Sequence, residues 1–200
     1  MVNKIIGIGG KLASGKDAIS DHLVDKHGWV KLGMSDALAE SLYALDPWIE
    51  IPPGPNVIRA IGRAAPSRFT RYSLLFDQLG YVKVKKNDEV RRLLQKLGTE
   101  VGRKIIGEST WTDIVERRAE EALSNGAPGV IITGIRYPNE LTMIEDLQGE
   151  LWWVDRPSLA ATVNAGHSSE NSVSSVDFDR VIVNDGTLED LYQKVDDLVN

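Results

Sequence analysis

The chain predicts an α/β fold in which a parallel sheet of about five strands is layered between helices and interrupted by a largely helical insertion. Three observations predict it. Short apolar runs of strand length recur near both ends of the chain, amphipathic helical patterns separate them, and between about residues 46 and 128 the alternation gives way to mostly helical sequence.

In chain order, KIIGIG (Lys4 to Gly9) is an isoleucine-rich run bounded by glycines and reads as a buried strand. Ile19 and Leu23 then share one helix face up to a stop at Gly28. WVKLGM (Trp29 to Met34) reads as a second strand, followed by a helix with Ser35 or Asp36 as its N-cap. Four prolines in DPWIEIPPGP (Asp46 to Pro55) exclude helix interiors and central strands there. Between Asn56 and Ser124 the alternating stretch YVKVK (Tyr81 to Lys85) is the one candidate strand. The segment Asn87 to Ile106 reads as one helix with Leu94, Leu97, Val101 and Ile105 on its apolar face, and another helix runs from about Thr112 to Ser124. Strands return at GVIIT (129–133), ELWWV (150–154) and RVIV (180–183). Helices open at Pro138 and Thr187, and a polar loop or short lid spans 158–176. The expected organisation is therefore one domain: a core of about 1–45 and 129–200, an insertion of about 46–128, and a lid of about 156–172.

Two hundred residues, 42% of them hydrophobic, suffice for one substantial core. The absence of cysteine excludes disulfides, thiolate catalysis and Cys-ligated zinc, and fits a cytoplasmic protein. No segment approaches the ~20 apolar residues that span a bilayer, so no membrane partner is expected. The net charge of -6 argues against binding a nucleic-acid polymer. Yet residues 59–104 hold twelve Lys/Arg and four acids, a local +8 that leaves -14 elsewhere. A basic segment in an acidic chain suits a small, highly charged anion as well as it suits a solvated helix face.

The chemistry is concentrated in GGKLASGKDA (Gly9 to Ala18), where Gly10 to Lys16 satisfies G-x-x-x-x-G-K between a strand and a helix. Such a loop turns backbone N–H groups inward around phosphate oxygens at the positive end of a helix. Gly10, Lys11, Ala13, Ser14, Gly15, Lys16, Asp17 and Ala18 are the expected phosphate contacts, with Lys16 neutralising the transferred group. The position after Lys16 normally carries Ser or Thr. Asp17 there is either a hard oxygen ligand for Mg²⁺, direct or through water, or a helix-terminal acid that favours the dipole.

The S-G-K-D loop, RLLQKLGTEVGR (Arg92 to Arg103), IRYPNE (Ile135 to Glu140), and HSSE followed by DRVIVNDGTLEDLY (His167 to Tyr192) together resemble the bacteriophage-type deoxynucleoside monophosphate kinases. The resemblance implies a P-loop NTPase three-layer fold, ATP as donor, a deoxynucleoside monophosphate as acceptor, Mg²⁺, and the cytoplasm, which is the host cell's if the chain is phage-encoded. A homodimer stays open.

Arg91, Gln95, Thr99 and Arg103 are spaced by four and form one polar stripe. Gly98 and Gly102 interrupt that helix, for close packing or for a bound nucleotide. In the family this block, with Glu100, resembles the acceptor-binding segment. Arg136 follows a buried strand, where α/β sheets gather ligands. Arg156 precedes the polar loop and resembles a lid arginine, a loop-end ion pair being the other reading. Asp36, after the second strand, suits an acceptor-positioning acid as well as a cap. The family motif before Arg136 usually begins with aspartate, and this chain has Gly134 instead, which shifts metal duty onto Asp17, onto Asp17 together with Asp36, or onto water alone. His22 and His27 lie on the first helix and need no function. The rival readings are a P-loop kinase of another small acceptor, dephospho-coenzyme A or phosphomevalonate, and a non-catalytic nucleotide-binding module. A GTP switch would carry N-K-x-D, which is absent.

Overall fold

A computed structural model of the chain describes residues 4–51, 68–159 and 173–199. The HSSE block, most of the expected lid and the prolines at 52, 53 and 55 lie outside the described residues. Two compact units form, one from residues 1–34 and 112–200, the other from Ser35–Trp111.

The first unit is a five-stranded parallel sheet of β1 (Lys4–Gly10), β2 (Val30–Gly33), β5 (Gly129–Thr133), β6 (Glu150–Asp155) and β7 (Arg180–Val183), in the order β2-β5-β1-β6-β7. Helices Lys16–His27 and Pro138–Asp146 make the crossovers from β1 to β2 and from β5 to β6, the usual way to join parallel strands. Period-two alternation sends successive side chains to opposite faces. Ile5, Val130, Ile132 and Leu151 therefore pack on one face with Val115 and Ala119 of the helix Thr110–Ser124 and with Met143 and Ile144 of Pro138–Asp146. Ile6, Ile8, Ile131, Trp152, Val154 and Ile182 pack on the other, against Ile19 and Leu23 of α1 (Lys16–His27) and Leu191 and Val195 of the last helix, Leu188–Val199. Helix, sheet and helix make the three layers of a P-loop NTPase fold. Because the strands are parallel, the C-terminal ends of β1, β5, β6 and β7 share one sheet edge.

In the second unit, α2 (Asp36–Leu45) starts after Ser35 as its N-cap and ends at Asp46, in the left-handed conformation at φ 45°. Strands β3 (Trp48–Ile51) and β4 (Arg68–Arg71) pair antiparallel and lead into α3 (Tyr72–Leu79). Leu42, Ile49, Tyr72, Leu75, Val84, Val90 and Leu94 form its core. Two expectations fail here. Arg68–Arg71 is a strand within a stretch where YVKVK is the one candidate: its pairing comes from Trp48–Ile51, in an all-edge ribbon that the exclusion of central strands by the prolines permits. YVKVK is not a strand: Tyr81–Val84 is a short helix that buries Val84 in this core and packs Tyr81 partly against it.

The long helix of the insertion is also two structures. Residues Asp88–Gln95 are α-helical, capped by the Asn87 side chain, which accepts from the backbone N–H groups of Glu89 and Val90. Lys96–Ile106 is a π-helix. Its i→i+5 bonds change the period at Lys96, so an apolar stripe set by a 3.6-residue repeat does not continue. Gly102 is buried, while Val101 and Ile105 face solvent, Ile105 at 77% exposure. No helix among the described residues is long and apolar enough to cross a membrane.

Candidate functional site

β1 delivers the chain into a tight loop that closes at Gly15, the N-cap of α1. Gly10 at φ 138° and Gly15 at φ 112° adopt backbone conformations that disfavour side chains. Space excludes them as well. A Cβ on Gly10 would lie 2.5 Å from the Val154 carbonyl oxygen, and one on Gly15 would lie 2.7 Å from Asn184 Nδ2. Inside the loop, the Ser14 N–H donates to the Lys11 carbonyl at 3.2 Å, Ala13 is left-handed at φ 61°, and Ser14 is buried while Lys11 to Ala13 are exposed. The two glycines, spaced as the motif requires, thus turn the backbone tightly into a helix N-terminus, the kind of terminus that favours phosphate.

Lys16, the first residue of α1, folds back along this loop. Its Nζ donates to the carbonyls of Gly10 at 2.7 Å and Lys11 at 2.6 Å, which fixes the ammonium group beside the loop. Ala18 is half-buried in the same first turn. Arg156, one residue beyond β6, approaches from the neighbouring strand end, its Nη1 3.5 Å from the Ala13 carbonyl oxygen. The loop-end ion pair is not seen among the described residues. Asn184, just past β7, braces the loop from below: its side-chain amide donates to the Ser14 carbonyl at 2.8 Å, and its own N–H donates to the Asp155 carbonyl at 2.7 Å. Sequence reasoning gives Asn184 no role. The available signal is its place at a strand C-terminus on the same sheet edge as the loop.

Asp17 is exposed at the second position of α1 and is not its N-cap, which is Gly15. Its carboxylate has no hydrogen-bond or ion-pair partner among the described residues, so it offers unsatisfied hard oxygen of the kind Mg²⁺ takes. Favourable interaction with the helix dipole remains available to it. Gly134 sits at φ 82°, and a Cβ added there would meet no atom closer than 3.9 Å, so its backbone conformation, not crowding, favours glycine. Arg136 is exposed at the end of the β5 loop. Its backbone N–H donates to Glu140 Oε2 at 2.6 Å and that of Tyr137 to the same atom at 3.1 Å; the buried Glu140 is thereby explained as the cap of the following helix.

The remaining candidates belong to the second unit. Asp36 is half-buried in the first turn of α2. Arg91 lies 3.4 Å from Asp88, and Glu100 pairs with Lys104 at 2.9 Å on the solvent side. Gln95 and Thr99 are exposed and Arg103 is half-buried, and the π-helical period separates Thr99 and Arg103 from the 3.6-residue repeat that carries Arg91 and Gln95. The glycines of this segment serve packing. A Cβ on Gly102 would lie 2.6 Å from the Trp111 indole, and one on Gly98 would lie 3.1 Å from Leu38, while Trp111 Nε1 donates to the Gly98 carbonyl at 2.9 Å.

The family model described as deoxynucleotide monophosphate kinase matches residues 67–195 of the chain. A putative deoxynucleotide monophosphate kinase of Acanthamoeba polyphaga mimivirus is 23% identical over 96% of this chain and 93% of its own length. The deoxynucleoside-5'-monophosphate kinase of Escherichia phage T5 is 29% identical over 47% of this chain and 38% of its own length. Among solved structures, dephospho-CoA kinase from Campylobacter jejuni aligns over 98% of this chain and 94% of its own with a TM-score of 0.49 at 13% identity.

Proposed function

Because the chain belongs to the deoxynucleotide monophosphate kinase family, we propose that it transfers the γ-phosphoryl group of ATP to a deoxynucleoside monophosphate, giving the diphosphate and ADP. The observation that carries this reading is the closed Gly10–Gly15 loop with Lys16 fixed beside it and Arg156 reaching over it. A P-loop kinase needs such a loop, and phosphoryl transfer asks for little else than alignment and charge compensation.

In this reading an oxygen of the acceptor's phosphate attacks the γ-phosphorus in line. The bond from that phosphorus to the β,γ-bridging oxygen breaks, and the electron pair leaves with ADP. A phosphate oxygen is already nucleophilic, so no strong base is required. The amides of the loop and Lys16 hold the donor phosphates. Arg156 and Arg136 compensate the charge that builds between donor and acceptor. The insertion of about 46–128 selects the acceptor: Gln95 and Thr99 meet base or sugar, Arg91, Glu100 and Arg103 belong to the same acceptor-binding segment with Arg103 on the phosphate, and Asp36 orients the acceptor. Bound Mg²⁺ supplies neutralisation of the β- and γ-oxygens, and Asp17 would hold it, directly or through water. The partners are free nucleotides in the cytoplasm, and the phage-type branch of the family is the one its motifs fit.

A coupled assay of ADP release with dAMP, dGMP, dCMP, dTMP and their ribose counterparts, with dephospho-coenzyme A and phosphomevalonate in parallel, tests this. Turnover with at least one deoxynucleotide is expected. Turnover with the other two acceptors alone, or nucleotide binding without acceptor-dependent ADP release, overturns it.

A further inference from the structure

The three-residue cluster His22, His27 and Asp196 stands apart from the phosphate loop and has no part in the reaction above. His22 and His27 are not idle surface residues: their side chains are 11% and 17% exposed, and both converge on an Asp196 side chain that is 7% exposed. Both Nε2 atoms point at one carboxylate oxygen, Oδ1, at 2.8 Å from His22 and 2.6 Å from His27. The three ligand atoms lie within 4.8 Å of one another.

We propose that these residues form a binding site for a divalent transition ion of the zinc class. Two imidazole nitrogens and one carboxylate oxygen are a donor set that suits Zn²⁺, Co²⁺ or Ni²⁺ and does not suit Mg²⁺, which demands oxygen. In a tetrahedral zinc site, with ligand bonds of about 2.0–2.2 Å, ligand atoms stand about 3.4 Å apart. Moving each imidazole nitrogen less than about an ångström away from Oδ1 brings both nitrogen–oxygen distances to that spacing, within the range of side-chain rotation.

The surroundings support the ligands as well. The His22 ring is stacked flat on Tyr192, with centroids 4.1 Å apart and planes 4° from parallel, which holds its orientation. Lys26 donates to the other oxygen, Oδ2, at 2.6 Å, so Asp196 keeps an outer hydrogen-bond partner while Oδ1 faces the imidazoles. Metal-ligating carboxylates are commonly held this way. The bound ion joins α1, whose first turn carries Lys16, to the last helix of the chain, and leaves its fourth position to water.

The test is titration of ZnCl₂ into the EDTA-treated full chain by calorimetry, with Co²⁺ absorption as a second readout and circular dichroism as a check of folding. The expected result is one equivalent bound with micromolar or tighter affinity, a tetrahedral Co²⁺ spectrum, a raised Tm, and no competition from millimolar Mg²⁺. His22→Ala and His27→Ala should each weaken binding at least tenfold and abolish the Tm rise while remaining folded. No binding at 100 μM Zn²⁺, or binding unchanged in both folded variants, overturns the proposal and leaves a hydrogen-bonded cluster that needs no metal. ADP release by the kinase does not enter either outcome.

Discussion

The side-chain amide of Asn184 donates to the carbonyl of Ser14 at 2.8 Å, tying the end of the last strand to the phosphate loop across 170 residues of sequence. The same amide occupies the space that a side chain on Gly15 would need. One contact therefore both anchors the loop and helps to dictate which residue can close it.

Asn184→Ala should loosen the loop without dismantling the sheet. Losing one hydrogen bond of this type costs about 1 kcal/mol. A Tm lower by a few degrees, and a KM for ATP raised by roughly three- to tenfold, are the expected outcomes. Asn184→Asp should be worse for ATP, because a carboxylate cannot donate to the carbonyl and adds negative charge beside the phosphates. Steady-state kinetics with thermal melts separates the two effects.

Lys16 and Asp17 should behave differently from each other. Lys16→Met removes the charge proposed to meet the donor phosphates, and turnover should fall by at least about 10²-fold, the scale of losing one preorganised donor, far more than the few degrees of Tm expected from losing its hydrogen bonds to the Gly10 and Lys11 carbonyls. For Asp17→Ala, the expected change is a higher Mg²⁺ requirement, read as turnover against free Mg²⁺, that exceeds any loss of stability. Equal losses in both would leave only the interaction with the helix dipole.

The sheet is legible in the sequence because its strands are apolar runs of the right length: GVIIT and RVIV coincide with β5 and β7 residue for residue. The phosphate loop is legible because its glycines answer a backbone demand that the motif encodes directly. The second unit is harder. YVKVK alternates like a strand, but tertiary packing buries Val84 and sets Tyr81 partly against the core from one turn of helix, and that overrides the local pattern. The π-helix is invisible to a 3.6-residue reading, which places Val101 and Ile105 on an apolar face that the chain does not build. Asn184 and Asp196 escape for a different reason. Their partners lie some 170 residues away, and the spacing of five between His22 and His27 matches no local motif.

Gly102→Ala should destabilise the second unit, since its new methyl group would stand 2.6 Å from the Trp111 indole. Overpacking of this sort costs roughly 1–3 kcal/mol. Combined with Trp111→Leu, the substitution should cost less than the sum of the two single changes, because the leucine vacates the space the methyl group enters. A double-mutant cycle from urea unfolding measures that coupling. Additive losses would mean that the glycine is there for another reason.

Asp46 links acid stability to the same unit. Its Oδ1 accepts from the Ser73 N–H at 2.8 Å, and Arg71 Nε lies 3.6 Å from Oδ2. The backbone hydrogen bond from Ser73 is the main cause that holds the carboxyl below its usual range; the Ser73 side chain and the Arg71 charge add to it, and partial desolvation opposes them. A carboxyl whose folded pKa is depressed contributes stability that is fully present above the unfolded value of about 4, and that is lost as pH falls through the lower folded value. Asp46→Asn keeps an oxygen that accepts from Ser73 but has no charge at any pH. The wild-type chain should therefore melt above the variant at pH 7, and the gap should narrow as pH drops below about 4 and close once the aspartate is protonated in the folded chain. Paired melts from pH 7 down to the acid limit of folding check this, and a gap that stays constant across that range would assign the effect of the substitution to packing instead of charge.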